Sequence, residues 1–415
     1  MRTEIPGESR GWAKHISKFI NKIFIKENLL FISDGMRRFT FSHYFKIIFF
    51  SIITVLLLSC DDNLPLTYYS NQARHPSQPP QQPQPPHQDS TWDFVGLAGE
   101  DDISSILVVP DKPWILYVGI SADFSAGTKG KILKSTDWGA TWKKTIDSVS
   151  LGKIILDPKN ENILYAGLNM NNDCIPGVIK STDAGESWFR IDSMMHLDWE
   201  TGASITMDPI NSNILYTSLA GFFGGGLLKS TDAGGTWFRL PPKWEGSFPP
   251  LADGVCGFAI DPKNPNELYL GIAWSGFLMK SYDGGETFSV IRDTFNGLPV
   301  DLVVNPYRTN VVYLGCLDGG FSKSNNHGIT WEREKSGLPY RSIDRLVFYK
   351  DSILFLGSGW DNSGGVFMSL DDGLTWNKIG NSRINAISID RRNRFIYISY
   401  RIAPKSGIYR YKISL

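Results

Sequence analysis

Six carboxylates stand among flat aromatic side chains in the less regular segments of this chain: Asp123, Asp198, Glu200, Glu245, Asp318 and Asp361. The same kind of segment holds Trp199, Trp244, Trp274, Tyr340, Arg341 and Trp360. Two kinds of chemistry fit such a set. A carboxylate pair ~5–5.5 Å apart hydrolyses a glycosidic bond with retention, and a pair ~6.5–9.5 Å apart does so with inversion. Rings beside acids and amides also bind without reacting: they stack on sugar faces while the polar groups bond hydroxyls. Trp, Tyr and Arg serve equally as anchors of a protein interface. Asp123, Asp198 and Glu200 are the candidates for catalysis. Trp199, Trp244, Trp274, Tyr340, Arg341, Trp360 and Asp361 are the candidates for ligand binding, although each ring singly also serves as padding of a loop. The Cys spacings do not supply the ligands of a zinc site. With no Walker or dinucleotide fingerprint either, no metal and no cofactor is expected.

The elements that position these residues are legible in a repeat. The phrase Ser-x-Asp-x-Gly-x-Thr-Trp runs from Ser135 to Trp142 and recurs, with small changes, from Ser181, Ser230, Ser281, Ser324 and Ser369. Its third position is Asp137, Asp183, Asp232, Asp283, Asn326 and Asp371, at intervals of 46, 49, 51, 43 and 45 residues. That is the length of a four-stranded propeller blade. Asp bonds nearby backbone N–H groups and Gly supplies a positive φ, so the phrase predicts a hairpin turn. The Trp is expected to pack between neighbouring sheets. A carboxylate repeated in every blade is better explained by folding than by one catalytic or metal site.

A second phrase, Asp-Pro-x-Asn followed by Leu-Tyr-x-Gly, lies between the turns. It stands at Asp157 with Tyr165, Asp208 with Tyr216, Asp261 with Tyr269 and Asn305 with Tyr313. Looser copies at Asp111, Asp351 and Asp390 make seven against six of the first phrase. The seventh unit has strands A (386–389), B (395–399) and C (407–411), and then the chain ends. Its strand D is missing. Thr91-Trp92-Asp93-Phe94 is a Thr-Trp with no turn phrase in front of it. It is expected to pair beside 407–411 and close a ring of seven blades, which removes an open edge. The fold class read from the sequence is thus all-β, a single seven-bladed propeller over 91–415.

The eight-residue phrase resembles the Asp-box, or bacterial neuraminidase repeat. Together with the second phrase it is similar to the propellers of xyloglucanase-type glycoside hydrolases, of sortilin and of the photosystem II assembly factor family, over about residues 90–415. These relatives include enzymes, receptors and assembly factors, so the resemblance implies a fold more than an activity. Asp123 stands in the loop where the xyloglucanase-type enzymes carry a catalytic acid, but their Arg-Thr-Asp is Ser121-Ala122-Asp123 here. Those enzymes set their cleft between two propellers, and this chain has length for one. Phe189-Arg190-Ile191-Asp192 and Phe238-Arg239-Leu240-Pro241 look like the Phe-Arg-Ile-Pro motif of sialidases. Both occupy the same place after a turn Trp, so the repeat explains them. The expectation is a module that binds a glycan or an envelope protein, with a glycoside hydrolase of xyloglucanase or sialidase type as the alternative.

Composition bounds the partners. The chain has 415 residues, with 42 basic and 42 acidic side chains and no Lys/Arg run in the repeats, which argues against nucleic acid. Residues 36–59 read as a lipoprotein signal: Met36-Arg37-Arg38, an apolar stretch to Leu58, then Leu57-Leu58-Ser59-Cys60. Cys60 is the expected lipidation site and the membrane its anchor. Residues 1–35 precede a complete signal and read as an overextended start. Residues 60–90, rich in Pro and Gln, read as an extended linker. The expected location is the bacterial envelope, at the outer membrane or cell surface. Cys256 and Cys316 lie toward one face of adjacent blades, where a disulfide and two buried thiols are equally compatible with the sequence.

Overall fold

The computed structural model describes residues 92–414, apart from 101, 123–127, 170–176, 192–199, 222–225, 241–253, 273–275, 293–296, 334–337, 339–341, 351, 359–363, 382 and 401–405. At 200–203, 219–221, 292 and 358 it describes backbone alone. Cys60, the signal segment and the Pro-rich segment lie outside the described residues.

Strands Ile103–Val108, Leu116–Ile120, Lys131–Ser135 and Lys143–Asp147 form an antiparallel sheet in sequential order, A to D. Five further sheets repeat that order over 151–190, 200–240, 255–292, 298–333 and 345–380. The seventh is Ile387–Asp390, Phe395–Tyr400, Gly407–Lys412 and, in the place of strand D, Trp92–Gly96. The protein is a seven-bladed propeller, and no helix occurs among the described residues. Adjacent blades touch all the way round, and strand A of the seventh, Ile387–Asp390, meets strand A of the first.

Burial follows each strand's place in the blade. Strand B has a neighbour on both sides and a sheet on both faces, so Leu116–Ile120 and Leu268–Ile272 are buried at every residue. Leu and Tyr recur there because nothing polar can be accommodated without a partner. Strand D is the outer edge and correspondingly polar or exposed, as at Phe189–Arg190. The core lies between blades: Ile132 of the first packs with Leu151, Leu164 and Ile179 of the second.

Ring closure follows the sequence expectation in detail. Trp92 pairs with Tyr411, Asp93 with Arg410 and Phe94 with Tyr409, and a bulge brings Gly96 opposite Ile408. Trp92 is 7% exposed, and its indole Nε1–H donates to the Ile379 carbonyl of the sixth blade at 2.7 Å. Its ring sits 5.2 Å from that of Tyr411. The segment therefore supplies a strand to one blade and a wedge against the next.

Candidate functional site

The repeated turns are fully committed to folding. In the second blade the Ser181 hydroxyl donates to Asp183 Oδ1 at 2.8 Å and accepts the Gly185 N–H at 2.8 Å. Asp183 also accepts the Ser187 N–H at 2.9 Å and the Ser187 hydroxyl at 2.5 Å. The same bonds recur at Asp137, Asp232, Asp283 and Asp371. At Asn326 one is reversed: its amide Nδ2 donates to the Thr330 hydroxyl at 2.8 Å. The Ser187 hydroxyl and amide hold the Asp183 carboxyl at about 2. The Thr236 amide, with the Ser230 and Thr236 hydroxyls, holds Asp232 at about 2. Carboxylates this strongly stabilised in the charged form are poor proton donors at neutral pH.

The turns also staple blade to blade. The residue before the glycine adopts a left-handed conformation, with φ of 58° at both Ala184 and Ala233. In the second, third and fourth blades its carbonyl receives a phenol and an ammonium from the preceding blade. Ala184 O accepts from Tyr117 at 2.6 Å and from Lys134 at 2.8 Å. Gly284 O accepts from Tyr216 at 3.4 Å and Lys229 at 2.8 Å. Burial pushes the Tyr117 and Tyr216 phenols well above their ordinary range, so they remain donors. The turn Trp does span sheets in several blades: Trp188 donates to Thr145 and Trp237 to the Ile191 carbonyl.

Of the candidates expected from sequence, Asp123, Asp198, Trp199, Trp244, Trp274, Tyr340, Arg341, Trp360 and Asp361 lie outside the described residues, as does Glu245. Glu200 begins strand A of the third blade, Glu200–Met207, with its backbone opposite Gly221. Asp318 sits in the tight turn joining strands B and C of the fifth blade, at a φ of 58°. In chain order the segments carrying the other candidates fall between strand D and strand A or between strands B and C. Cys256 and Cys316 are free thiols, Cys256 half-buried and Cys316 buried, so the disulfide alternative does not hold.

One group of potential metal ligands occurs among the described residues: Asp261, Glu267 and His327, with ligand atoms within 4.8 Å of one another. The Lys280 ammonium already fills the role of cation there, 2.7 Å from Glu267.

Sequence reasoning missed a second feature. A cavity of about 560 Å³ lies on the propeller axis and is lined by residues of all seven blades. Strand pairing brings one position of every strand A to a common level. It is the residue before Ile106, Ile154, Ile205, Phe258, Leu302, Leu346 and Ile387, each of which faces the strand B residue following the buried Tyr or Phe. Four blades place Ser105, Ser204, Gly257 and Ala386 there, and three place Lys153, Asp301 and Arg345. Asp301 Oδ2 accepts the Leu346 N–H of the next blade at 2.8 Å, as Ser105 Oγ accepts that of Ile154 at 3.0 Å. Burial pushes the Asp301 carboxyl up, against the pull of Arg345. Burial pulls the Lys153 ammonium down, against the pull of Asp301. The signal in the sequence is positional: Lys153, Ser204, Gly257 and Asp301 each stand four residues before the Asp or Asn of the second phrase.

Comparisons with known proteins bear on the fold. No family model matches the chain. It is 31% identical over 111 residues to xyloglucanase Xgh74A of Acetivibrio thermocellus, a stretch that covers 24% of this chain and 13% of that enzyme. The chain thus spans a small fraction of the length of the curated relatives it matches. Among solved structures, YCF48 from Cyanidioschyzon merolae aligns over 78% of this chain and 99% of its own, with a TM-score of 0.56 and 13% identity. YCF48 bound to D1 peptide aligns over 78% of this chain and 98% of its own, with a TM-score of 0.53 and 13% identity. At such identities the likeness shows the fold alone: this chain is a β-propeller similar to those of xyloglucanases and of YCF48.

Proposed function

We propose that this chain is a lipid-anchored propeller of the bacterial envelope. It binds a glycan or another envelope protein on the rim of D–A and B–C loops, by shape and aromatic contact and without covalent chemistry. The observation that carries the reading is the contrast between the two rims. On one, the Asp-box carboxylates are spent inside their own turns. The connecting segments of the other vary in length and hold Trp199, Trp244, Trp274, Tyr340, Arg341 and Trp360. Loops of that kind on a rigid scaffold are where binding residues concentrate. A propeller of the same fold carries a bound peptide in YCF48 with D1 peptide, which supports the protein-binding arm. Residues 36–59 supply the signal, Cys60 the lipid and 60–90 the stalk. Fatty-acid labelling that survives Cys60→Ala would remove the anchor from this reading.

The test of the rim is retention of the full chain in gels cast with polysaccharides, and on immobilised envelope proteins. Retention by one of these is expected to disappear in the double variant Trp244→Ala, Trp360→Ala. Retention unchanged by both substitutions would place the ligand elsewhere.

Glycoside hydrolysis is the second reading, favoured by the local similarity to a xyloglucanase. It assigns Asp123 as an acid, with Asp198 or Glu200 as its partner. Release of reducing ends from a polysaccharide, lost in Asp123→Ala, would establish it over simple binding.

A further inference from the structure

Among the described residues, the axial cavity is lined chiefly by strand A of each blade. Ser105, Ser204, Gly257 and Ala386 are small, so at this level of the ring the bore stays open. Lys153, Asp301 and Arg345 project charge into it from the second, fifth and sixth blades. Lys153 is exposed by surface area, yet its ammonium is strongly desolvated by surrounding protein. The two facts agree for a side chain standing in a narrow bore open to solvent at its ends.

The bonding of the three groups is uneven. Asp301 has one oxygen on the Leu346 amide. Arg345 uses one nitrogen on the Asp344 carbonyl, at 2.8 Å, and a guanidinium carries five N–H donors in all. The Lys153 ammonium makes no hydrogen bond to a described residue. Counted formally over the described lining, two cations against one anion leave one positive charge in excess. Low-dielectric walls concentrate the field of such a charge on the space between them. Ser204 is exposed on the same wall, with Thr206 beside it, so hydroxyls accompany the charge.

We propose that the axial bore binds a small hydroxylated monocarboxylate, a sugar acid of the uronate class, with its carboxylate held by Lys153 and Arg345 and its hydroxyls on the Ser204–Thr206 wall. A monoanion neutralises the site, whereas a more highly charged phosphate leaves an excess negative charge beside Asp301. The volume of about 560 Å³ falls in the range of small-molecule sites, roughly 300–1,000 Å³. Arg supplies the paired donors that suit a carboxylate, and Lys a point charge.

Calorimetric titration of the full chain with D-glucuronate, D-glucose and inorganic phosphate tests the assignment. Glucuronate is expected to bind, glucose to give no heat, and phosphate to bind more weakly than the acid. Lys153→Met and Arg345→Gln are each expected to weaken glucuronate by about tenfold or more, the worth of a bond to a charged group. Lys153→Arg and Arg345→Lys keep the charge and are expected to retain most of the binding. If either neutral variant loses its β-sheet circular dichroism, the tightening expected of an Asp301 variant decides the matter. Asp301→Asn keeps an acceptor for Leu346, removes the negative charge and is expected to tighten binding. Absence of heat with glucuronate, equal affinity for phosphate, or indifference to all five substitutions would overturn the proposal.

Discussion

Replacing Trp92 by Ala tests how the ring is held shut. Trp92 is the only aromatic that joins the borrowed strand to both the seventh blade, through Tyr411, and the sixth, through the Ile379 carbonyl, among the described residues. It is 7% exposed, so truncation empties a nearly closed site. Removal of a buried aromatic costs about 3–5 kcal/mol. The Ile379 carbonyl loses a donor as well, a loss of about 1 kcal/mol where water cannot replace it. We take about 4 kcal/mol, the low end of that sum, as the working figure. A large domain shifts by about 2 °C per kcal/mol, so the thermal midpoint should fall by roughly 8 °C. The assay is far-UV circular dichroism of the full chain on heating, with Trp114→Ala as control. Trp114 is 39% exposed, and its truncation should move the midpoint by no more than about 2 °C, as for most surface substitutions. A Trp92→Ala protein melting within that same margin of wild type would refute the argument that this residue latches the ring.

Two further outcomes follow from the turns and the blade interfaces. Asp183 and Asp232 titrate at about 2 in the folded chain, below the ordinary ~3.9 of an unfolded carboxylate. A depressed folded value gives stability that is complete above the unfolded pKa and lost as pH falls through the folded one. The melting midpoint should therefore be level above about pH 5 and drop between about 4 and 2. Asp183→Asn, the arrangement Asn326 already uses, should preserve the fold and make that drop smaller; an unchanged acid limb would contradict the assignment. Lys280 is 1% exposed and pairs with Glu267, so Lys280→Met removes the ammonium partner of a carboxylate that keeps only the Asn264 and Tyr269 bonds and the neighbouring His327. The expected loss in urea unfolding is about 3 kcal/mol, the low end for a broken buried pair because Glu267 is still 15% exposed. The double variant with Glu267→Gln should recover part of it, and no recovery would mean that the pair is not the cause.

The fold was legible because each blade is written out in turn residues that tolerate little change. Gly185 and Gly234 sit at φ of 79° and 92°, and a Cβ on Gly234 would meet Ile191 Cδ1 at 2.3 Å, so glycine marks the position unambiguously. The unmatched Thr91-Trp92 revealed the closing strand by the same logic, since a Trp at that place in the period requires a sheet to pack against. The axial charges were not legible, because each is a single departure within a strand whose pattern is otherwise small and apolar. Lys153 and Asp301 become visible when the blades are aligned on the second phrase, four residues downstream. Arg345 stays hidden even then, since Tyr349 and Lys350 stand where its blade should carry Asp-Pro. The rim aromatics are the reverse case: composition drew attention to them, while their segments, free of the repeat, carry no periodic signal that fixes a geometry.

The claim at the centre of this account is recognition without turnover. The most direct measurement is the release of reducing ends when the full chain is incubated with a polysaccharide panel that includes xyloglucan. The account predicts no release above the protein-free control with any substrate. Steady accumulation of reducing ends by the wild type, abolished in Asp123→Ala, would contradict it.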